Sequence, residues 1–332
     1  MRYNVGMKRT DHTRSIVVPE RVRLRAELSG PQSRQWLKDL PGILAELEHR
    51  WELSIGLALS GGSSAYVAPV RTTSGTAVIK IAMPGPDRPY GFQQERETLL
   101  RANGHGYVRV LRCDNEHCAL LLEKLGRSLQ ESHLEPEQVI TLLYRTLKQA
   151  WLVPLSAEQT LHPLEYKAHT LAQLICELWE RLERPCSENL ISQALEYARR
   201  RMDAFDLKRC VVVHGDPHPA NALLADVPRA GVKSGYVFVD PEGFLCDREY
   251  DLGVVLRDWN KELLATAEPY ALAHHYCQLL AQESGLDAAI IWEWGFIERV
   301  SSGLYMCAYG SNELGQPFLQ TAQRLLDTER FA

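Results

Sequence analysis

The sequence predicts an α+β protein of two lobes, with an antiparallel β-sheet lobe first and a mostly α-helical lobe after it. Three observations lead there. The chain has 332 residues, enough for two buried cores at roughly 150 residues per domain. Between residues 52 and 125 apolar side chains fall in short runs bounded by Gly, Ser and Asn, as in strands. Beyond Gly126 they recur three and four residues apart, with prolines between the runs.

Taken in order, residues 1–17 are polar and expected to be loose. In the segment 31–51, Trp36, Leu37, Leu40, Ile43, Leu44 and Leu47 recur at helical spacing. This extension reads as one or two helices broken near Pro41, because proline removes a backbone donor inside a helix. Residues 52–62, 64–73 and 76–83 read as three strands, the last two joined through Thr73-Ser74-Gly75. A charged helix over 92–103 should stop at Gly104. Strands at 107–114 and 118–125 complete a first domain, 1–125, with a hinge around 123–127. The second domain, 126–332, opens with helices over 135–153, 163–183 and 187–205, punctuated by Pro154, Pro163 and Pro185. Two short strands, at Cys210–Val213 and Val237–Val239, interrupt the helices, which resume after Asp247. Trp292, Trp294, Tyr305 and Tyr309 are core residues by their spacing.

Composition excludes several classes of function. At 45% hydrophobic and 24% charged residues the chain is globular rather than disordered. The 37 basic against 42 acidic residues leave a formal charge of −5, which offers no basic excess for nucleic acid or an anionic membrane. No apolar run is long enough for a bilayer, and the polar start is not a secretory signal, so a cytoplasmic protein is expected. The eight cysteines form no C-x-x-C pair and read as buried free thiols. Cys113 and Cys118 flank His117, but no second ligand pair follows, so chance is favoured over zinc.

The chemistry concentrates in His214-Gly215-Asp216-Pro217-His218-Pro219-Ala220-Asn221, which follows a buried-looking strand. Phosphoryl transfer needs a carboxylate to orient the attacking hydroxyl and oxygen ligands for Mg2+ nearby. Asp216 and Asn221 supply a carboxylate and an amide on one irregular loop, and the next strand delivers a second carboxylate, Asp240. His214 and His218 do not suit a helical zinc pair, because Gly215 and Pro217 oppose a helix. His214 reads as a packed residue that fastens the loop. In the first lobe Gly61, Gly62 and Ser63 join two strands, where small residues let backbone N–H groups approach phosphates. Lys80, in Val78-Ile79-Lys80, matches a strand-borne phosphate-binding lysine. One of Glu95 and Glu97 should hold it, with Glu95 preferred. No G-x4-G-K-[ST] run occurs, which excludes a P-loop enzyme. Asp247 could cap the next helix or serve a substrate, and Asp251, one turn on, should brace the loop from below.

These residues together resemble the aminoglycoside/hydroxyurea antibiotic-resistance kinases, the group that contains streptomycin 6-phosphotransferases. The resemblance runs from Val18 to the end through WLKDLPGILAELEHRW, GGSSAYVAPV, AVIKIA, ALLLEKLGRSL, VVHGDPHPANAL and VFVDPEGFLCDREYDLGVVLRDW. It implies a bilobal protein-kinase-like fold that uses ATP and Mg2+. Asp216 would be the catalytic base, Asn221 and Asp240 the Mg2+ ligands, and Lys80 a phosphate contact. The backbone of Glu123, Lys124 and Leu125 would hold adenine. Pro217, Ala220 and Glu242 depart from the family's usual Leu, Gly and Lys. The acceptor is expected to be a small, cationic, hydroxylated molecule, streptomycin-like in the first instance, with Glu242, Asp247 and Glu249 as candidate contacts. A kinase of a housekeeping sugar or amino alcohol is the alternative, and a pseudokinase or binding module is the third. Between Cys210 and Asn260 eight acids face four bases, so most of the charge imbalance lies in this segment.

Overall fold

A computed structural model describes residues 16–85, 91–155 and 166–329. The loose segment expected over 1–15 and the helix start expected at Pro163 lie outside these residues. The chain divides into two compact units, Met1–Pro89 with Leu111–Lys124, and Tyr90–Val110 with Leu125–Ala332. Among the described residues no helix is long and apolar enough to cross a membrane.

The first unit carries two helices, α1 (Glu20–Leu28) and α2 (Pro31–Trp51), and five strands. The strands are β1 (Ser54–Ile55), β2 (Ala65–Thr72), β3 (Gly75–Ala82), β4 (Val110–Asp114) and β5 (Ala119–Glu123), in sheet order β1-β2-β3-β5-β4. β2 and β3 form an antiparallel hairpin in which Thr72 faces Gly75. Its two-residue turn is tied by Ser74 N–H to Thr72 Oγ1 at 3.2 Å. Trp36, Leu40, Leu44, Leu47 and Trp51 make one stripe of α2 and pack on Tyr66, Ala68, Val70, Ile79 and Ile81 of the sheet.

Two expectations fail in this unit. α2 runs unbroken through Pro41, which is exposed; the buried stripe from Trp36 to Trp51 holds both halves to one axis. The strand expected over 52–62 shrinks to Ser54–Ile55. Its partner β2 carries Pro69, which has no N–H to return. Gly56 N–H still reaches Pro69 O at 2.7 Å, but regular pairing stops, and Leu57 and Leu59 stay exposed.

The second unit holds α3 (Gly91–Ala102), α4 (Pro136–Ala150), α5 (Lys167–Arg181) and α6 (Glu188–Asp203). Four short strands follow: β6 (Val211–Val213), β7 (Ala222–Leu224), β8 (Tyr236–Phe238) and β9 (Phe244–Cys246). They form two antiparallel ribbons, β6 with β9 and β7 with β8. The chain ends in α7 (Arg248–Arg257), α8 (Asn260–Ala265), α9 (Pro269–Ser284), α10 (Ala288–Tyr309) and α11 (Asn312–Glu329). α10 is the axis of the core: Trp294, Ile297, Val300 and Leu304 meet Ile175, Leu178, Ala194, Tyr250 and Val254. Residues 90–110, which the sequence reading places in the first lobe, belong to this unit. Val108 N–H donates to Phe238 O at 2.9 Å and Phe238 N–H to Gly106 O at 2.8 Å, stitching the segment to β8.

The aromatic and cysteine expectations divide. Trp294 is fully buried, whereas Trp292 and Tyr305 are half-buried and Tyr309 is exposed. Trp292 instead lines a cavity of about 420 Å³ with Tyr197, Tyr270, His274 and Glu293. All eight cysteines are free, yet Cys113 and Cys176 are exposed. Cys176 lies on the outer face of α5, whose inner face is Leu171, Ile175 and Leu178.

Candidate active site

The loop from His214 to Asn221 lies between β6 and β7, so each end is held by a strand pair. Gly215 permits its first bend: φ is +92°, and a Cβ there would meet Glu242 Cβ at 2.6 Å. A carboxylate from α7 braces this bend. Asp251 accepts hydrogen bonds from His214 N–H and Gly215 N–H, each at 2.9 Å, and from Trp151 Nε1 at 2.8 Å. Burial pushes the Asp251 carboxyl up to about 6, although these donors favour its charged form.

His214 is fully buried. Its ring lies parallel to Tyr107, with centroids 5.9 Å apart, and against Phe238 at 4.6 Å. Asp216 N–H donates to His214 Nδ1 at 3.1 Å, which leaves Nε2–H to donate to Val239 O at 2.9 Å. Both nitrogens are therefore used by the neutral ring, and burial lowers its pKa to about 4. The ring joins the loop to the strand end that leads to Asp240.

Asp216 projects from the loop with 37% of its side chain open. Arg257, at the end of α7, donates to its Oδ1 at 2.9 Å, and His218 Nε2 lies 3.5 Å from Oδ2. Burial acts to raise the Asp216 carboxyl, but the Arg257 guanidinium and His218 outweigh it and hold the pKa down to about 2. Arg257 is itself fastened, to Asp258 at 2.8 Å and to Glu298 of α10 at 3.4 Å. Glu298 also accepts from the Tyr250 hydroxyl at 2.6 Å. α7 thus reaches the loop twice, through Asp251 below it and Arg257 beside it.

Asn221 Nδ2 donates to Asp216 O at 3.0 Å, which commits the amide nitrogen and leaves its oxygen as the acceptor end. Val239 N–H donates to Asn221 O at 2.9 Å, so Asp240 follows directly across the ribbon. Asp240 is exposed and takes φ +57°, a left-handed conformation that a non-glycine residue holds at some cost. An amide oxygen and a carboxylate at adjoining strand ends are hard donors of the kind Mg2+ prefers.

The other predicted residues are placed as follows. Lys80 is buried on β3 of the first unit, and Glu95 is buried on α3 of the second. Gly61, Gly62 and Ser63 lie in the bend before β2, where a Cβ at either glycine would meet open space. Glu123 ends β5, and Lys124 and Leu125 continue it as irregular chain. Glu242 pairs with Lys167 at 3.2 Å. Asp247 caps α7 by accepting from Tyr250 N–H, and its carboxylate also takes Tyr166 O–H at 2.7 Å and Trp294 Nε1 at 2.8 Å. Glu249 is buried and accepts from Arg209 at 2.8 Å. Both of these carboxylates are engaged by partners within the fold.

Sequence reasoning missed Arg257, Glu298, Tyr107, Trp151 and Lys167. Arg257 is the one with a local signal: six residues after Asp251, it lies within two helical turns of the brace.

The model of the aminoglycoside/hydroxyurea antibiotic resistance kinase family matches residues 50–310. Streptomycin 6-kinase of Streptomyces glaucescens is 26% identical over 302 residues, 90% of this chain and 94% of that protein. The protein of the same name from Streptomyces griseus is 25% identical and covers 96% of this chain and 99% of its own. Among solved structures, a thermostable mutant of aminoglycoside phosphotransferase APH(4)-Ia, in complex with ADP and hygromycin B, aligns with a TM-score of 0.60. That alignment is 10% identical and spans 86% of this chain and 98% of the other, so the two share the bilobal kinase-like fold. With the family match spanning most of its length, the chain belongs to the aminoglycoside/hydroxyurea antibiotic resistance kinases.

Proposed function

We propose that this chain transfers the γ-phosphoryl group of ATP to a hydroxyl of a cationic aminoglycoside of the streptomycin type. One observation carries the reading: Asp216 is held ionised and aimed by Arg257, on a loop whose amide and following carboxylate are suited to a divalent cation. The relatives named streptomycin 6-kinase supply the acceptor class.

The acceptor hydroxyl donates a hydrogen bond to Asp216, which turns its oxygen lone pair toward the γ-phosphorus. The new O–P bond forms as the bond from phosphorus to the bridging β-γ oxygen breaks, and ADP leaves. With a pKa of about 2, Asp216 is a weak base. It therefore orients the hydroxyl first and takes the proton late, once phosphorylation has made that oxygen acidic. A loose phosphoryl-transfer transition state needs no earlier removal. Asn221 and Asp240 would hold Mg2+, which supplies charge neutralisation for the phosphate oxygens when bound. Lys80 and the backbone at Gly61, Gly62 and Ser63 would take the phosphates. The backbone at Glu123, Lys124 and Leu125 would take the adenine. Residues 1–125 would thus form most of the nucleotide lobe and 126–332 the acceptor lobe. Glu242 remains the contact for the acceptor's cationic group.

The test is ADP release with ATP, Mg2+ and streptomycin, beside hydroxyurea, sugars and small amino alcohols. Asp216→Asn should lose about 10²- to 10⁴-fold in kcat while keeping its circular dichroism. A variant that works at the wild-type rate would sink the mechanism. Turnover confined to an uncharged alcohol would move the protein to the metabolite-kinase alternative.

A further inference from the structure

Lys167 is the first residue of α5, directly after Tyr166, which occupies the capping position. A cation in the first turn faces the positive end of the helix dipole, so helix stability does not explain its place. Its ammonium lies 3.2 Å from Glu242 Oε2. It also sits 4.6 Å from the centre of the Phe244 ring and 5.7 Å from that of Tyr250. A carboxylate beside two aromatic faces is a binding site for an organic ammonium or guanidinium. Here a lysine of the chain fills it.

Glu242 is fastened to the loop that carries Asp216. Its N–H donates to His214 O at 2.7 Å, and its Cβ closes on the bend at Gly215. The pair is partly open, with 22% of the Lys167 side chain and 27% of the Glu242 side chain exposed. The neighbouring acids are held differently. Asp247 and Asp251 are tied to buried indole, phenol and backbone donors, and Glu249 is buried against a guanidinium. An indole packed in the core cannot leave its acceptor, whereas an ammonium on a four-carbon stem can swing into water.

We propose that Lys167 and Glu242 form a cation subsite of the acceptor pocket, filled by the enzyme's own lysine when free and by an ammonium or guanidinium of the acceptor during turnover. This rests on the reading of the acceptor as a cationic, hydroxylated antibiotic. Lys167 is then a specificity-determining residue. A charged acceptor exchanges one cation for another at Glu242, while a neutral alcohol offers nothing in exchange and is selected against.

Steady-state kinetics with streptomycin as the probe separate the two side chains by sign. Lys167→Met should lower the streptomycin KM about fivefold, and Glu242→Gln should raise it about tenfold or more, with the ATP KM moving less than about twofold. Simple damage to the fold would raise KM in both. A Lys167→Met enzyme whose streptomycin KM is unchanged or higher overturns the subsite, while wild-type turnover still upholds the kinase reading. A second readout needs no turnover: acetylation of Lys167, followed by mass spectrometry with and without saturating methylguanidinium. Labelling of Lys167 should accelerate about threefold or more as the probe displaces it. If the wild type phosphorylates no cationic acceptor, the functional reading falls, and this labelling alone decides the subsite. Faster labelling supports it, and unchanged labelling overturns it.

Discussion

Arg257 sets the protonation of the proposed reacting carboxylate. Removing its charge, as in Arg257→Met, leaves burial opposed only by the more weakly acting histidines, so Asp216 should rise from about 2 toward the ordinary aspartate value of about 4. The proposed mechanism requires the ionised form. The acid limb of the kcat/KM profile should therefore move to higher pH, by about two units, with little change on the alkaline side. An unmoved limb would mean that Arg257 acts on position alone. How much of this site the sequence disclosed follows from distance along the chain. Asp216, Asn221 and Asp240 could be read because they sit on one short stretch with a recognisable spacing. The residues that tune them could not: Arg257 meets Asp216 across 41 positions, Tyr250 meets Glu298 across 48, and Trp151 meets Asp251 across 100. No local pattern encodes such pairs. For Asp247 both roles were open in the sequence; it caps α7, and its further partners Tyr166 and Trp294 come from positions that no local pattern links to it.

Among the elements, α7 is packed tightly against α10. A Cβ at Gly253 would lie 2.4 Å from Trp294 Cβ and 2.7 Å from Gly295 N. Backbone this close cannot yield, so Gly253→Ala must push α7 off α10. It should cost about 2 kcal/mol in urea denaturation. It should also depress kcat, because the displaced helix carries both Asp251 and Arg257. Gly42 is the control: it is a helix-interior glycine of α2 with nothing within 4 Å of its missing Cβ. Gly42→Ala should stabilise by about 0.5–1 kcal/mol and leave kcat alone. Elements with a strong period, such as α2 and α4 to α6, were legible because burial repeats along them. β1 was not, since its end is decided by Pro69 on another strand. The break expected at Pro41 misjudged a local penalty that five buried side chains outweigh.

For the molecule as a whole, the division at Leu125 is incomplete. The second unit includes residues 90–110, and the chain leaves and re-enters it before settling there. A fragment of residues 126–332 would lack Tyr107, the ring stacked on His214, and the backbone partners of Phe238. It should be poorly folded, with fast exchange of the β8 amides. A fragment of residues 90–332 should keep those amides protected. Equal protection in the two would show that the catalytic loop does not need the segment.

The Asp251 brace also bears on how the protein is made. When His214 leaves the ribosome, the carboxylate that will hold its amide lies 37 residues further along the message. Glu298, which anchors both Tyr250 and Arg257, comes later still. The buttress of the candidate loop is therefore complete only once α10 has been made, and nascent chains that end before it should be inactive. A stop codon or frameshift between Asp240 and Ser302, which also contacts Arg257, removes part of the buttress even though every proposed reacting residue has already been synthesised. Resistance of a host cell should thus track full-length product rather than total product.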